Sequence, residues 1–515
     1  MSANRRIIVN SFVLYARLLL TTFIGLYASR LILIQLGVEN FGLYSIVGGI
    51  VAMLNFLNTS MISTSNRFLA LELGKHEANV EPINRIFNSL VLLHITFSIA
   101  LLIIVETLGI WYVKTYLNIE TDKISDALNV LHFSALSAVF STVTVPFQGL
   151  LTINEKFGFK ARVDTLYSIL NLVAILLLVF FENKLTMYAF LVFFIQFIVF
   201  LLYYFMCQKH YRNVIKWGVN RLKADYVAIS KFFGWQMVYV GGSVGTSQGG
   251  AMLLNSFFGT ALNAAFGMAM RVDQFVFSFV KNLNQAALPQ IMKSYSSGNQ
   301  ERSIFLLNRM SKYTFFIMLL PVVPILLTLE DLLEIWLKHV PEYTAWFIFL
   351  RLIHGLVSCL ESGFDGVIDA TGKIRKTKIL FTFIFLSTLP VAYILFENNY
   401  PPYVITVLAV MAEIIFLIFQ LGILAKLTDF KINIYIRETI LPVSMVTLFV
   451  LPQYFLKDLF DGFSLSIVWV GLLSVCITIA TVFWVGLSKS ERNVVVSNLS
   501  NLNVFSRFKA FFKSK

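Results

Sequence analysis

The sequence predicts an all-α polytopic membrane protein, and three observations predict it. Hydrophobic residues make up 57% of the 515-residue chain and charged residues only 13%, with a mean hydropathy of +0.76. An ordinary soluble domain carries about a quarter charged residues. Apolar runs recur from end to end, each near the ~20 residues that cross ~30 Å of hydrocarbon as a helix, and the alternating ten-residue pattern of barrel strands is missing. The connections between the runs alternate sharply in charge.

Fourteen helices account for the runs, near residues 11–36, 41–65, 86–110, 128–150, 163–181, 185–207, 229–257, 261–288, 313–333, 344–370, 379–396, 401–426, 438–456 and 465–487. The first is too long and too polar for a cleaved signal segment, so it is expected to be retained. About 30 of the Lys and Arg residues fall in the connections on one side and about 5 on the other, which makes the basic side cytoplasmic. Both termini are expected there. The net charge of +13 is spread over eight segments, so topology accounts for it and no nucleic-acid partner is expected. Cys207, Cys359 and Cys476 show neither CxxC spacing nor a nearby histidine cluster, and neither a disulfide framework nor a metal site is expected.

An internal repeat organises the helices. "LGVENFGLYSIVGGIV" is collinear with "FFGTALNAAFGMAMRV", and the likeness continues downstream, aligning Gly37 with Gly259, Gly74 with Gly298, and Asn84-Arg85 with Asn308-Arg309. Six spans precede the basic stretch at 209–228 and six follow, and an even number gives both halves the same orientation. The expected organisation is an N-terminal six-helix lobe (1–208), a basic cytoplasmic linker (209–228), a C-terminal six-helix lobe (229–426), two appended helices (427–487) and a basic tail (488–515). Two parallel bundles of this kind commonly rock around a central cavity, which points toward transport.

Charge inside apolar spans marks the candidate site. Arginine at the bilayer centre costs about 2.5–3.5 kcal/mol on insertion scales, so such residues must face protein, water or an anionic ligand. Five basic residues lie at that depth: Arg17 and Arg30 on helix 1, Arg271 and Lys281 on helix 8, and Arg351 on helix 10. Polar residues gather on helices 2 and 7, including Asn58, Ser63 and Gln248, and helices 1 and 2 correspond to 7 and 8 under the repeat. Asp273 follows Arg271 by two residues, which places the pair on different helix faces. On helix 10, Glu361, Asp365 and Asp369 are spaced four apart and are expected to share one charged stripe with Arg351. A carboxylate on that stripe could bind a proton or Na⁺ in a transport cycle, or serve as interhelical polar glue.

Two apparent motifs are set aside. "GVIDATGK" has five residues between Gly366 and Gly372 and Ile374 where a magnesium-binding hydroxyl belongs, so it is not a phosphate loop. "GGSVGTSQGG" lies within an apolar span, where its glycines allow close helix contact or a break. No nucleophile–base set or HExxH pattern is present in the sequence, and neither an enzyme nor a cofactor is expected.

The opening "RRIIVNSFVLYAR…LYASRLILIQLGVENFGLYSIVGGIVAMLNFLNTSMISTSNRFLALELG", together with "QGLLTINEKFGFKARVDTL" and "NAAFGMAMRVDQFVFSFVKNLNQAALPQI", resembles the Wzx-type O-antigen and polysaccharide flippases of the MOP (multidrug, oligosaccharidyl-lipid, polysaccharide) exporter superfamily. The resemblance implies a protein of the bacterial inner membrane that flips an undecaprenyl-pyrophosphate-linked oligosaccharide to the periplasmic leaflet, alongside a polysaccharide polymerase and chain-length machinery. It further implies that arginines on the first and eighth helices hold the pyrophosphate. Arg17 or Arg30, with Arg271, occupy comparable helices, and Lys281 and Arg351 extend the cationic set. Asn58, Ser63 and Gln248 are the candidates for sugar hydroxyls, and Asp273, Glu361 and Asp365 for ion coupling. A cation-coupled multidrug exporter of the same superfamily is the rival reading, and would favour an acidic or aromatic cavity where the sequence suggests a basic one. A membrane polysaccharide polymerase is the enzyme alternative, which the short outer connections disfavour.

Overall fold

The computed structural model describes residues 14–25, 55–75, 80–115, 123–216, 222–337, 340–456 and 466–501, with scattered single positions between 27 and 48 and at 218 and 220. These residues form an all-α polytopic membrane protein. In chain order the helices are α1 (Leu14–Gly25), α2 (Asn55–Lys75), α3 (Val80–Thr115), α4 (Ile124–Ile153), α5 (Phe157–Phe180), α6 (Lys184–Tyr211), α7 (Lys223–Ser296), α8 (Gln300–Leu327), α9 (Leu329–Leu337), α10 (Thr344–Cys359), α11 (Phe364–Thr371), α12 (Arg375–Glu397), α13 (Val404–Leu427), α14 (Ile432–Phe455), α15 (Ser466–Gly486) and α16 (Lys489–Asn501).

Among the described residues, nine of these helices are long and apolar enough to cross a membrane. The bent pair α10 and α11 makes a tenth. Among the described residues α1, α2 and the two arms of α7 fall below that threshold; they overlap the expected helices 1, 2, 7 and 8, with α2 running ten residues past the expected end at 65. They carry the polar residues that the repeat places at equivalent positions. α2 runs along α7, and most of its last two turns is buried or half-buried.

The repeat has a backbone counterpart. α7 runs as one stretch of helical hydrogen bonding from 223 to 296, broken only at Gly259, where φ is 80° and ψ is −175°. Gly37, its partner in the sequence repeat, also has a left-handed φ of 75°. Only glycine adopts such angles without a steric penalty. At the far end of α7, Gly298 again takes a left-handed φ of 85°. Its N–H and that of Asn299 return to Tyr295 and Ser294 carbonyls, and the Asn299 side chain then accepts from the Arg302 N–H to start α8. That glycine stop followed by an asparagine cap turns the chain within a few residues.

The helical stripe expected on 344–370 does not form. The helix ends at Cys359, Gly363 takes a φ of 91°, and α11 resumes at an angle of 49°. Glu361 therefore lies in the break, and Arg351 belongs to a different helix from Asp365 and Asp369. The glycines of "GGSVGTSQGG" serve close contact: a Cβ on Gly242 would meet Thr382 at 2.8 Å, and one on Gly249 would meet Leu389 at 2.6 Å, both on α12.

The two halves meet at the end that carries the basic loops. Arg67 of α2 donates through Nε to the Asp369 carbonyl at the end of α11, and its guanidinium lies 4.6 Å from the Phe68 ring centre and 4.5 Å from that of Phe232. Gln236 of α7 donates to Ser63 of α2 at 3.1 Å, Gln290 to Glu155, and Tyr15 to the Phe279 carbonyl at 2.8 Å. Leu14, Phe157 and Ala286 form a small buried cluster between the halves. Glycine at 74 allows the closest approach, since a Cβ there would run into Ser296 and lie 2.8 Å from the Lys293 carbonyl.

Candidate functional site

Two charged regions emerge, one between the halves and one within the C-terminal half. The first is built around Arg17. Its guanidinium donates to Asp164 of α5 at 2.6 Å and to Asn282 of α7 at 3.1 Å, joining α1 to both halves. Asp164, Arg17 and Lys281 all lie close enough to Lys160 to act on it electrostatically, so three cations gather near one carboxylate. Lys281 is exposed, as is Arg271 farther along the same arm of α7. Fixed cations in excess at a partly dehydrated seam are suited to an anion, and arginine in particular to the paired oxygens of a phosphate.

The second region is a cavity of about 420 Å³ walled by α7, α10, α11, α12 and α13. Sequence reasoning expected a basic cavity shared by the two halves. This one lies wholly in the C-terminal half, and Asp273, Glu361, Asp365 and Glu413 line it against a single guanidinium, that of Arg351. Arg351 approaches the Met270 sulfur and lies 5.5 Å from the Phe266 ring centre. His354 stands 3.4 Å from Glu413. Aromatic rings, including Tyr239, Phe381 and Phe385, complete the wall. One oxygen of Asp273, one of Glu361 and Nε of Arg351 have no hydrogen-bond partner, so the cavity presents polar atoms that a ligand could satisfy.

The remaining expected residues separate. Asn58 donates to Ser141 at 3.2 Å within the N-terminal half, Ser63 accepts from Gln236 in the closure, and Gln248 is exposed. Arg30 lies outside the described residues. The structure thus gathers Asp273, Glu361, Asp365 and Arg351 in one cavity and places Arg17 and Lys281 together elsewhere. Sequence reading missed Asp164 and Lys160, whose proximity to Arg17 no spacing reveals, and His354, which sits one helical turn from Arg351 on the cavity wall. It also missed Arg67 and Lys378. Among the described residues no group of three or more His, Cys, Asp or Glu is arranged to hold a metal ion.

Comparison with solved structures identifies the architecture. An outward-facing multidrug resistance MATE family transporter of the MOP superfamily superposes with a TM-score of 0.68 over 83% of this chain and 97% of that one, at 13% identity. This chain has the MATE fold. A MATE protein in complex with MaD3S matches it equally, with a TM-score of 0.68, 13% identity and the same coverages of 83% and 97%. A MOP superfamily transporter from Pyrococcus furiosus, described as having a binding pocket of reversed polarity, gives a TM-score of 0.63 at 13% identity over 81% of this chain and 96% of that one. No family model and no curated protein matches the sequence.

Proposed function

We propose that this protein is a transporter of the MOP type that flips an undecaprenyl-pyrophosphate-linked oligosaccharide across the bacterial inner membrane, its halves (1–208 and 229–426) rocking about the seam. The observation that carries the reading is the cluster of Arg17, Lys160, Lys281 and Asp164, in which Arg17 bonds to α5 and to α7. A pyrophosphate brings about two negative charges, matching the cluster's excess, and guanidinium and ammonium groups replace the hydration it loses. The seam shelters phosphate and sugar while the polyprenyl tail stays in lipid. Arg30 and Arg271 belong to the same proposed clamp. With the basic loops in the cytoplasm, together with both termini, the closed end is the cytoplasmic one, and the headgroup leaves toward the periplasm.

The acidic cavity supplies the coupling. Four carboxylates against one guanidinium and the neighbouring Lys378 leave a net negative charge in a low-dielectric interior, and such an excess is held only with protons or bound cations. Asp273, Glu361 and Asp365 are the coupling groups in this reading. The same acidic and aromatic cavity favours a second reading, export of organic cations, because carboxylates and ring faces bind them. Leaflet translocation of a pyrophosphate-linked polyprenyl oligosaccharide in proteoliposomes, with Arg17→Ala and empty vesicles as controls, tests the first reading. Arginine-dependent flipping is the expected result. Efflux of a cationic dye without flipping moves the protein to the second.

A further inference from the structure

The charged cavity and the closure between the halves meet at one side chain. Lys378, in the first turn of α12, is 1% exposed and lies 4.3 Å from the Tyr239 ring centre. Its ammonium donates to Asp365 Oδ1 at 3.0 Å and stands 3.8 Å from Asp369 Oδ1. These two carboxylates face different ways. Asp365 lines the cavity, with 44% of its side chain exposed. Asp369 is buried in the closure: Oδ2 accepts from Gln236 at 3.2 Å, the same amide that reaches Ser63, and its carbonyl accepts from Arg67.

Asp369 Oδ1 has no hydrogen-bond partner. A buried acceptor left without a donor is costly, and a lysine ammonium carries three donors. Lys378 therefore has an occupied seat on Asp365 and a vacant one on Asp369, only slightly beyond hydrogen-bond distance. The other groups bearing on it are Glu361 in the helix break, Glu413 through Glu361, and Arg67 through Asp369.

We propose that Lys378 is the positioning residue that couples the cavity to the closure. A proton or monovalent cation taken up at Asp365 and Glu361 weakens the hold of Asp365 on the ammonium, which moves to Asp369 Oδ1. There it fixes the carboxylate that Gln236 bridges to α2, so cation loading favours the state closed at the basic end. A two-seat element of this kind gives each site a differential interaction with the other's states, which is what coupling requires. The inference rests on the cation-coupled part of the proposed function and is independent of the transported substrate.

The test uses the full chain in nanodiscs, with its three cysteines replaced by alanine and spin labels at Lys75→Cys and Ser297→Cys, which flank the contact of Gly74 with Ser296. Pulsed electron paramagnetic resonance reads the distance distribution in choline chloride at alkaline pH, in sodium chloride at alkaline pH, and in choline chloride at acidic pH. The short-distance population is expected to rise with Na⁺ or with acid, and the responsive arm identifies the cation. Lys378→Met and Asp369→Asn should each remove more than half of that response, and Asp369→Asn keeps the side-chain volume if the lysine variant folds poorly. No cation response in the parent protein, or a full response in either variant that folds, overturns the proposal. Loss of oligosaccharide flipping alone bears only on the substrate.

Discussion

Gly37 and Gly259 occupy equivalent places in the two halves and share a left-handed backbone, with φ of 75° and 80°. Among the described residues neither has an atom from beyond its own stretch of chain within 4 Å of where a Cβ would stand, so the positive φ and not crowding favours glycine there. At Gly259 the angles fall in a region that is essentially glycine-only.

Gly259→Ala is therefore expected to cost about 1–3 kcal/mol through backbone strain. Thermal unfolding in detergent checks it. An unchanged midpoint would show that the break between the arms of α7 can be made at a neighbouring residue.

Arg17 is held by Asp164 and Asn282 in the structure. Arg17→Ala should lower translocation of a pyrophosphate-linked lipid by about tenfold or more, the scale of a lost charge-assisted hydrogen bond, with Arg17→Lys restoring part of it. Asp164→Asn removes the resident counter-ion, so binding of undecaprenyl pyrophosphate should tighten while turnover falls. Normal flipping by Arg17→Ala removes the clamp assignment.

Glu361→Gln and Asp365→Asn should shift the pH or Na⁺ dependence of transport, because each deletes one charge from a cavity with four carboxylates. Transport assayed across a pH series, with and without Na⁺, reads this directly. A profile identical to the parent's returns both residues to structural packing.

α16 is tied to the C-terminal half through Glu491, which accepts from Lys312 at 2.8 Å with both oxygens and from Tyr313 at 2.8 Å. Burial alone would raise the Glu491 carboxyl, but the hydrogen bonds from Lys312, the Ser488 N–H and Tyr313 and the charge of Lys312 outweigh it and hold the pKa below its ordinary 4.5. A depressed carboxylate stabilises the fold above its unfolded pKa, and that stability disappears as pH falls through the lower folded value. Thermal midpoints of the parent should thus drop below about pH 4.5, and Glu491→Gln should flatten that part of the profile. Glu491→Ala, which strands a buried ammonium, should cost about 3–5 kcal/mol, whereas Lys312→Met with Glu491→Leu should recover most of it.

Much of the fold is legible in the sequence because membrane insertion is governed by composition along the chain. Runs of apolar residues, the side taken by lysine and arginine, and the alignment of Gly37 with Gly259 are all one-dimensional signals, and most of the described helices overlap the spans that the apolar runs mark. Of the polar residues singled out, Asp273, Glu361, Asp365 and Arg351 line one cavity, and Arg17 bonds to both α5 and α7. What spacing could not supply is which charges meet. Ideal helical geometry put Arg351 and Asp365 on one stripe, but Gly363 breaks that helix, and the bend hands Asp365 to Lys378. Arg17 meets Asp164 and Arg67 meets Asp369 across 147 and 302 residues of sequence. The sequence by itself determined an all-α polytopic membrane protein with charge inside its apolar spans. Only the tertiary structure decided that the cations gather at the seam and the carboxylates in one half, because the partner of a buried charge is set by helix packing, which local periodicity does not encode.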